Sequence, residues 1–168
     1  MQTNEVLTEL FGRLPDLVHR TVEGLDAETL CTAPRDGANT IGWLVWHLTR
    51  VQDHHLAGVL ETEQIWVTDN WGPRFGLLSD PDNTGYGHKP ADVAAVLPDG
   101  ADALVGYFDA VFARTNKYLA GLTETDLDRV VDERWDPPVT LGVRLVSVAC
   151  DDLEHVGQAA YLRGLSTN

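Results

Sequence analysis

Apolar residues recur at three- and four-residue steps in four stretches of this chain, and each stretch is long enough to predict a helix. Leu7, Leu10, Phe11, Leu14, Leu17, Val18, Val22 and Leu25 predict a first helix over roughly 4–24, with Asn4 as its cap. Pro15 should kink the middle of it, because proline has no N–H to donate back along the helix. A second helix opens at Asn39 or Thr40 and carries Ile41, Leu44, Val45, Leu48, Val51, Leu56, Val59 and Leu60. A third begins near Pro98-Asp99 and carries Leu104, Val105, Phe108, Val111, Phe112, Tyr118 and Leu119. The fourth follows Pro137-Pro138, whose fixed φ suits a helix start. It runs through Leu141, Leu145, Val148, Ala149, Leu153, Val156, Ala160 and Leu165, with Gly164 as a natural stop.

The remainder reads as connection. Trp66 to Pro98 is a long irregular stretch full of turn formers, such as Asn70-Trp71-Gly72-Pro73 and Asp80-Pro81-Asp82-Asn83-Thr84-Gly85-Tyr86-Gly87. Its two glycine-rich hinges suit a wall of a substrate entrance, with Trp71, Arg74 and Tyr86 able to hold a sugar or an anion. A plain surface connector is the competing reading. On the first reading, removal of Asp80 to Lys89 should weaken substrate binding and spare any metal. A faint internal echo suggests two halves. Gly24-Leu25-Asp26-Ala27-Glu28-Thr29-Leu30 follows the first helix and Gly121-Leu122-Thr123-Glu124-Thr125-Asp126-Leu127 the third. Thr40-Ile41-Gly42 opens the second helix and Thr140-Leu141-Gly142 the fourth. Arg129-Val130-Val131 is too short to found a sheet. The expected architecture is all-α: one four-helix-bundle domain over 1–168, with a long crossover between helices 2 and 3.

Composition narrows what such a bundle does. The net charge is −14, from 26 acidic and 12 basic residues, with no basic stripe. Nucleic-acid binding and docking on anionic membranes are therefore not expected. No apolar run approaches the ~20 residues of a membrane span. Neither a basic n-region nor an apolar h-region opens the chain. Cys31 and Cys150 lie far apart, which suggests a reduced, cytoplasmic setting. Cys150 reads as a packed thiol.

Chemistry enters with Asp151 and His155, one helical turn apart, and with His47 far upstream. An i,i+4 carboxylate–imidazole pair projects from one helix face, and one imidazole from a facing helix would complete three ligands around an open metal position. Helix four carries the polar stripe Arg144, Ser147, Asp151, His155 and Gln158 among apolar neighbours. An ordinary solvated face with an i,i+4 pair explains that stripe too. His47 favours the metal, since Leu44, Trp46, Leu48 and Val51 around it turn its ring inward. Asp152, at i−3 from His155, is a rival ligand to Asp151. His54, two turns below His47, joins Gln158 and Arg144 as supporting candidates, while Asp53 and His55 read as surface groups. His19 and His88 lack ligand spacing. No catalytic residue beyond the metal centre is indicated.

The segments Asn39-Thr40-Ile41-Gly42-Trp43-Leu44-Val45-Trp46-His47-Leu48 and Asp151-Asp152-Leu153-Glu154-His155-Val156-Gly157-Gln158 resemble the two ligand-bearing helices of the DinB/YfiT-like superfamily. The likeness covers essentially the whole chain. Many members carry a histidine where Asp151 stands, but the mycothiol-dependent maleylpyruvate isomerases are similar to this chain in placing a carboxylate there. Closest in character are the mycothiol S-transferases of actinobacteria. The resemblance implies a divalent metal, zinc before others, on His47, Asp151 and His155. It further implies a detoxifying conjugation of mycothiol, or a related small thiol, to an electrophile through a metal-bound thiolate. Two other classes stay open: a hydrolase, isomerase or iron-dependent enzyme on the same ligands, and a non-catalytic stress-related module, with a homodimer compatible with either.

Overall fold

A computed structural model describes residues 2–166. The first apolar stripe forms two helices, α1 (Thr3–Phe11) and α2 (Leu14–Val22). Proline is the reason. Pro15, in the first turn of α2, can donate no hydrogen bond to Phe11, so the expected kink is a complete break at Gly12-Arg13. Both pieces still bury one face, through Leu7, Phe11, Leu14, Val18 and Val22. A short α3 (Ala27–Cys31) follows, capped by the Asp26 carboxylate, which accepts the Thr29 N–H at 2.8 Å. The second long helix, α4 (Ile41–Leu60), starts where the Thr40 hydroxyl accepts the Trp43 N–H at 3.0 Å, and it ends on left-handed Glu61.

The crossover is not structureless. It contains α5 (Ile65–Thr68), a 3₁₀ turn (Gly72–Phe75) and α6 (Pro90–Ala94), and it sinks Trp66 and Phe75 fully into the core. Asp53 holds its start. The sequence places Asp53 on the surface, but it is fully buried. Its carboxylate accepts the N–H groups of Ile65 and Trp66 at 3.0 and 2.8 Å and the Tyr107 hydroxyl at 2.8 Å. Arg114 pairs with it, and Arg50 lies 3.6 Å away. A charge this well partnered tolerates burial, which sequence spacing cannot show.

The third long helix is α7 (Ala101–Ala120). A 3₁₀ turn (Glu124–Asp128) leads to a small antiparallel pair, β1 (Val130–Asp132) with β2 (Val139–Thr140), in a stretch the sequence reading left without strands. The last helix, α8 (Leu141–Ser166), passes through Gly164 without stopping. Helix α8 packs most extensively on α4, then on α2, while α7 packs on α1, α2 and α4. The long elements thus form a four-helix bundle whose first helix is broken. No described helix is long and apolar enough to cross a membrane.

The internal echo has a structural counterpart. Each half places a short helical turn before a long helix opened by Thr-x-Gly. A Cβ on Gly42 would lie 2.9 Å from the Leu30 carbonyl oxygen, and one on Gly142 would lie 3.4 Å from that of Leu127. Leu30 and Leu127 are the last residues of the two echoed segments. Glycine lets each long helix start close against its preceding turn.

Candidate metal centre

The contact between α4 and α8 brings His47, Asp151 and His155 together, with one ligand atom of each within 4.8 Å of the others. The imidazoles meet edge to face at 4.7 Å between centroids. His47 is buried; Asp151 and His155 are half-buried.

Backbone carbonyls set the tautomers. His47 Nδ1 lies 2.6 Å from the Thr84 carbonyl oxygen and His155 Nδ1 lies 2.8 Å from that of Asp151. A carbonyl only accepts, so each Nδ1 carries the proton and each Nε2 presents a lone pair. Neither Nε2 has a hydrogen-bond partner among the described residues. Asp151 Oδ2 is buried and likewise unpartnered. His155 Nδ1 lies 3.6 Å from Asp151 Oδ2 but is turned to the Asp151 carbonyl oxygen, so that carboxylate oxygen and the two free lone pairs remain available, an arrangement that suits a cation. Burial pushes the His47 pKa down to about 4 against the Thr84 hydrogen bond, so the ring is neutral at pH 7. Burial shifts the Asp151 carboxyl upward, opposed by His155. Asp152 lies outside the cluster, fully buried with both oxygens unpartnered, and its carboxyl is pushed well above the usual range. Asp151 belongs to the cluster and its neighbour Asp152 does not.

The crossover builds the rest of the setting. Gly85, at φ +91°, lies so close that a Cβ there would sit 2.6 Å from His47 Nδ1 and 2.9 Å from the Trp46 ring. Trp43 stacks on the His47 ring at 4.6 Å. Its indole N–H donates to His88 Nδ1 at 3.1 Å, and His88 Nε2 then donates to Asn83 Oδ1 at 2.9 Å. Buried Arg50 donates to the Asn83 and Pro81 carbonyls, both at 3.0 Å, and to the Tyr107 hydroxyl at 3.1 Å. Residues 81–88 are thereby held from within the bundle. Thr84, Arg50, His88 and Asn83 escape the sequence reading. A backbone carbonyl leaves no trace in residue type, and His88 acts through Trp43 rather than through ligand spacing.

A cavity of about 510 Å³ opens onto His47 and Asp151. Two of the supporting candidates, His54 and Arg144, line it. His54 accepts a hydrogen bond from Gln64 at 3.2 Å, and Gln158 is exposed beyond the last turn of the site. His55, read as a surface group, is half-buried, and its pKa falls to about 4 through burial first and then Arg144. Of the three crossover side chains expected at the entrance, only Tyr86 lines the cavity; Arg74 is bound to Asp99 at 2.8 and 2.9 Å. Cys150 is exposed rather than packed. A larger cavity of about 670 Å³ between Leu60, Tyr118 and Leu122 carries no histidine or cysteine and a single carboxylate, Asp126.

A family model described as mycothiol-S-transferase matches residues 6–167. The chain also superposes on a crystal structure described as that of a conserved protein from Enterococcus faecalis. The TM-score is 0.88 at 29% identity, over 97% of this chain and 96% of the other. Among curated proteins none matches.

Proposed function

This chain belongs to the mycothiol-S-transferase family within the DinB/YfiT-like superfamily, and we propose that it conjugates mycothiol to an electrophilic carbon where His47, Asp151 and His155 hold a divalent metal, zinc before others. The observation that carries the proposal is the convergence of one ligand atom each from His47, Asp151 and His155 within 4.8 Å, with Asp151 Oδ2 buried and without a hydrogen bond, at a cavity that His47 and Asp151 line. Bound there, zinc supplies the Lewis acidity that favours thiolate over thiol at neutral pH. The chain's own residues do the preparation. The Thr84 and Asp151 carbonyls keep both Nδ1 protons in place, so both Nε2 lone pairs stay available without a change of tautomer. Trp43 covers one face of His47 and keeps water from it. Asp151 is the one carboxylate of the set, so a divalent ion keeps a formal +1 to attract an anionic sulfur. Cys31 and Cys150 are both free, in keeping with a reducing cytoplasm.

Protein purified without added metal should hold about one divalent ion per chain, and His155→Ala close to none. Asp152→Asn should hold as much as wild type. The loaded protein should speed mycothiol conjugation to bromobimane, with bacillithiol and glutathione as poorer thiols. Unchanged metal in His155→Ala would overturn the ligand set. Equal rates with and without metal would leave a non-catalytic module as the better account.

A further inference from the structure

The cavity at His47 and Asp151 is less acidic than the chain as a whole, with as many arginines as aspartates in its lining. The net charge is −14, with only 12 lysines and arginines. Two of those arginines, Arg134 and Arg144, meet in this cavity. Both pair with one carboxylate: Asp132 Oδ2 lies 2.8 Å from Arg134 Nη2 and 3.0 Å from Arg144 Nη2. On this wall two guanidiniums share one carboxylate; the cavity's other carboxylate, Asp151, belongs to the metal-ligand set, so the lining is balanced by itself and positive once a divalent ion is held there. Arg144 is only 15% exposed, so little water screens it. Its Nη1 faces neutral His55 at 3.5 Å, and its Nε has no acceptor among the described residues. The rim is apolar. Trp135 and Tyr86 line the same cavity and are 64% and 93% exposed, large aromatic surface normally buried or used.

Mycothiol does not account for these cations. It is a neutral pseudo-disaccharide whose ionisable group is the thiol itself, so its sugars offer no anion for two guanidiniums to neutralise. We propose that the second substrate is a carboxylate-bearing electrophile, its carboxylate held by Arg144 with Arg134 and its apolar body laid against Trp135 and Tyr86. The inference rests on the thiol-transfer reading for its reaction and on the cavity alone for its binding. Guanidinium suits this task because its parallel N–H groups match the two oxygens of a carboxylate. In the transfer, a sulfur lone pair forms the new S–C bond. The leaving group departs with the electrons of its bond to carbon, and the thiol proton passes to solvent.

Iodoacetate and iodoacetamide make the test, since both lose iodide to a thiol and differ only in carboxylate against amide. With mycothiol and metal-loaded protein, enhancement over the uncatalysed rate should be at least about tenfold greater for iodoacetate. Arg144→Gln should lower that selectivity about tenfold through KM, and exposed Arg134→Gln should lower it a few-fold without risk to folding. Arg144→Lys, which keeps the charge, should recover part of it. A ratio that is the same for wild type and both glutamine variants overturns the proposal while leaving the transferase reading intact. Calorimetry with unreactive phenylacetate and its amide separates the two ideas. Arg144-dependent binding of the acid in protein that turns over neither iodo compound upholds the anion site and overturns the transferase reading. Phenylacetate binding that follows the metal and ignores both arginines overturns the anion site.

Discussion

His47 and His155 owe their competence as ligands to which nitrogen keeps its proton, and carbonyl oxygens at 2.6 and 2.8 Å decide that. His55 faces the opposite problem: it is half-buried beside Arg144 and its pKa is lowered from 6.5 to about 4. An unfolded chain therefore takes up this proton first as pH falls. Stability from His55 is whole above pH 6.5 and drains away through about pH 4, by at most about 3 kcal/mol. Urea midpoints of wild type and His55→Asn should converge or cross as pH falls from 7 to 4, since the variant lacks the titration. Parallel curves would show that His55 does not report on this burial. The residue scale was only partly legible in sequence. Spacing isolated His47, Asp151 and His155, but no residue type announces that Asp53 is buried or that the Thr84 carbonyl turns a histidine.

The crossover is the element in which the structure alters expectation most. Its length and glycines suggested an entrance wall whose shortening would spare the metal. Instead Thr84 touches His47 directly, and Arg50 and the Trp43–His88–Asn83 chain fix the segment around it. Removal of residues 80–89 should therefore weaken metal binding itself. A finer test is Gly85→Ala. Its new methyl meets His47 Nδ1 and Trp46, and alanine at φ +91° is strained besides. Zinc affinity should fall about 10–100-fold, as when a group supporting a ligand is disturbed, with helical circular dichroism unchanged. Unaltered affinity would show that the loop merely covers the site.

For the whole molecule, the two halves repeat one device: Gly42 and Gly142 each press on the turn that precedes their own helix. Gly42→Ala would bring a methyl within 2.9 Å of the Leu30 carbonyl oxygen and 2.8 Å of Pro98, and should cost about 1–3 kcal/mol. Gly58, inside α4 with nothing within 4 Å of an added Cβ, should instead gain up to about 1 kcal/mol as alanine. Urea denaturation of both variants checks the signs, and destabilisation by Gly58→Ala as large as by Gly42→Ala would remove the close-approach argument. The excess of acid over base is another property of the whole. Against it, a cavity with as many arginines as aspartates is a local exception.

Periodicity alone located the four amphipathic stretches, three of them long helices and the first a broken pair, because an amphipathic helix must bury one stripe and its spacing is written in the chain. A kink near Pro15, a helix start at Asn39 or Thr40 and the Asp151–His155 spacing follow from local chemistry within a turn or two, so sequence indicates them, though the kink is a full break at Gly12-Arg13. Tertiary structure decided everything that joins residues far apart in the chain. It seated the Thr84 carbonyl on His47, buried Asp53 among Tyr107, Arg50 and Arg114, paired β1 with β2, and set Arg134 and Arg144 around Asp132 over the cavity. Such contacts arise from how helices pack, and that geometry is fixed by the shapes of both partners together, which neither stretch of sequence carries by itself.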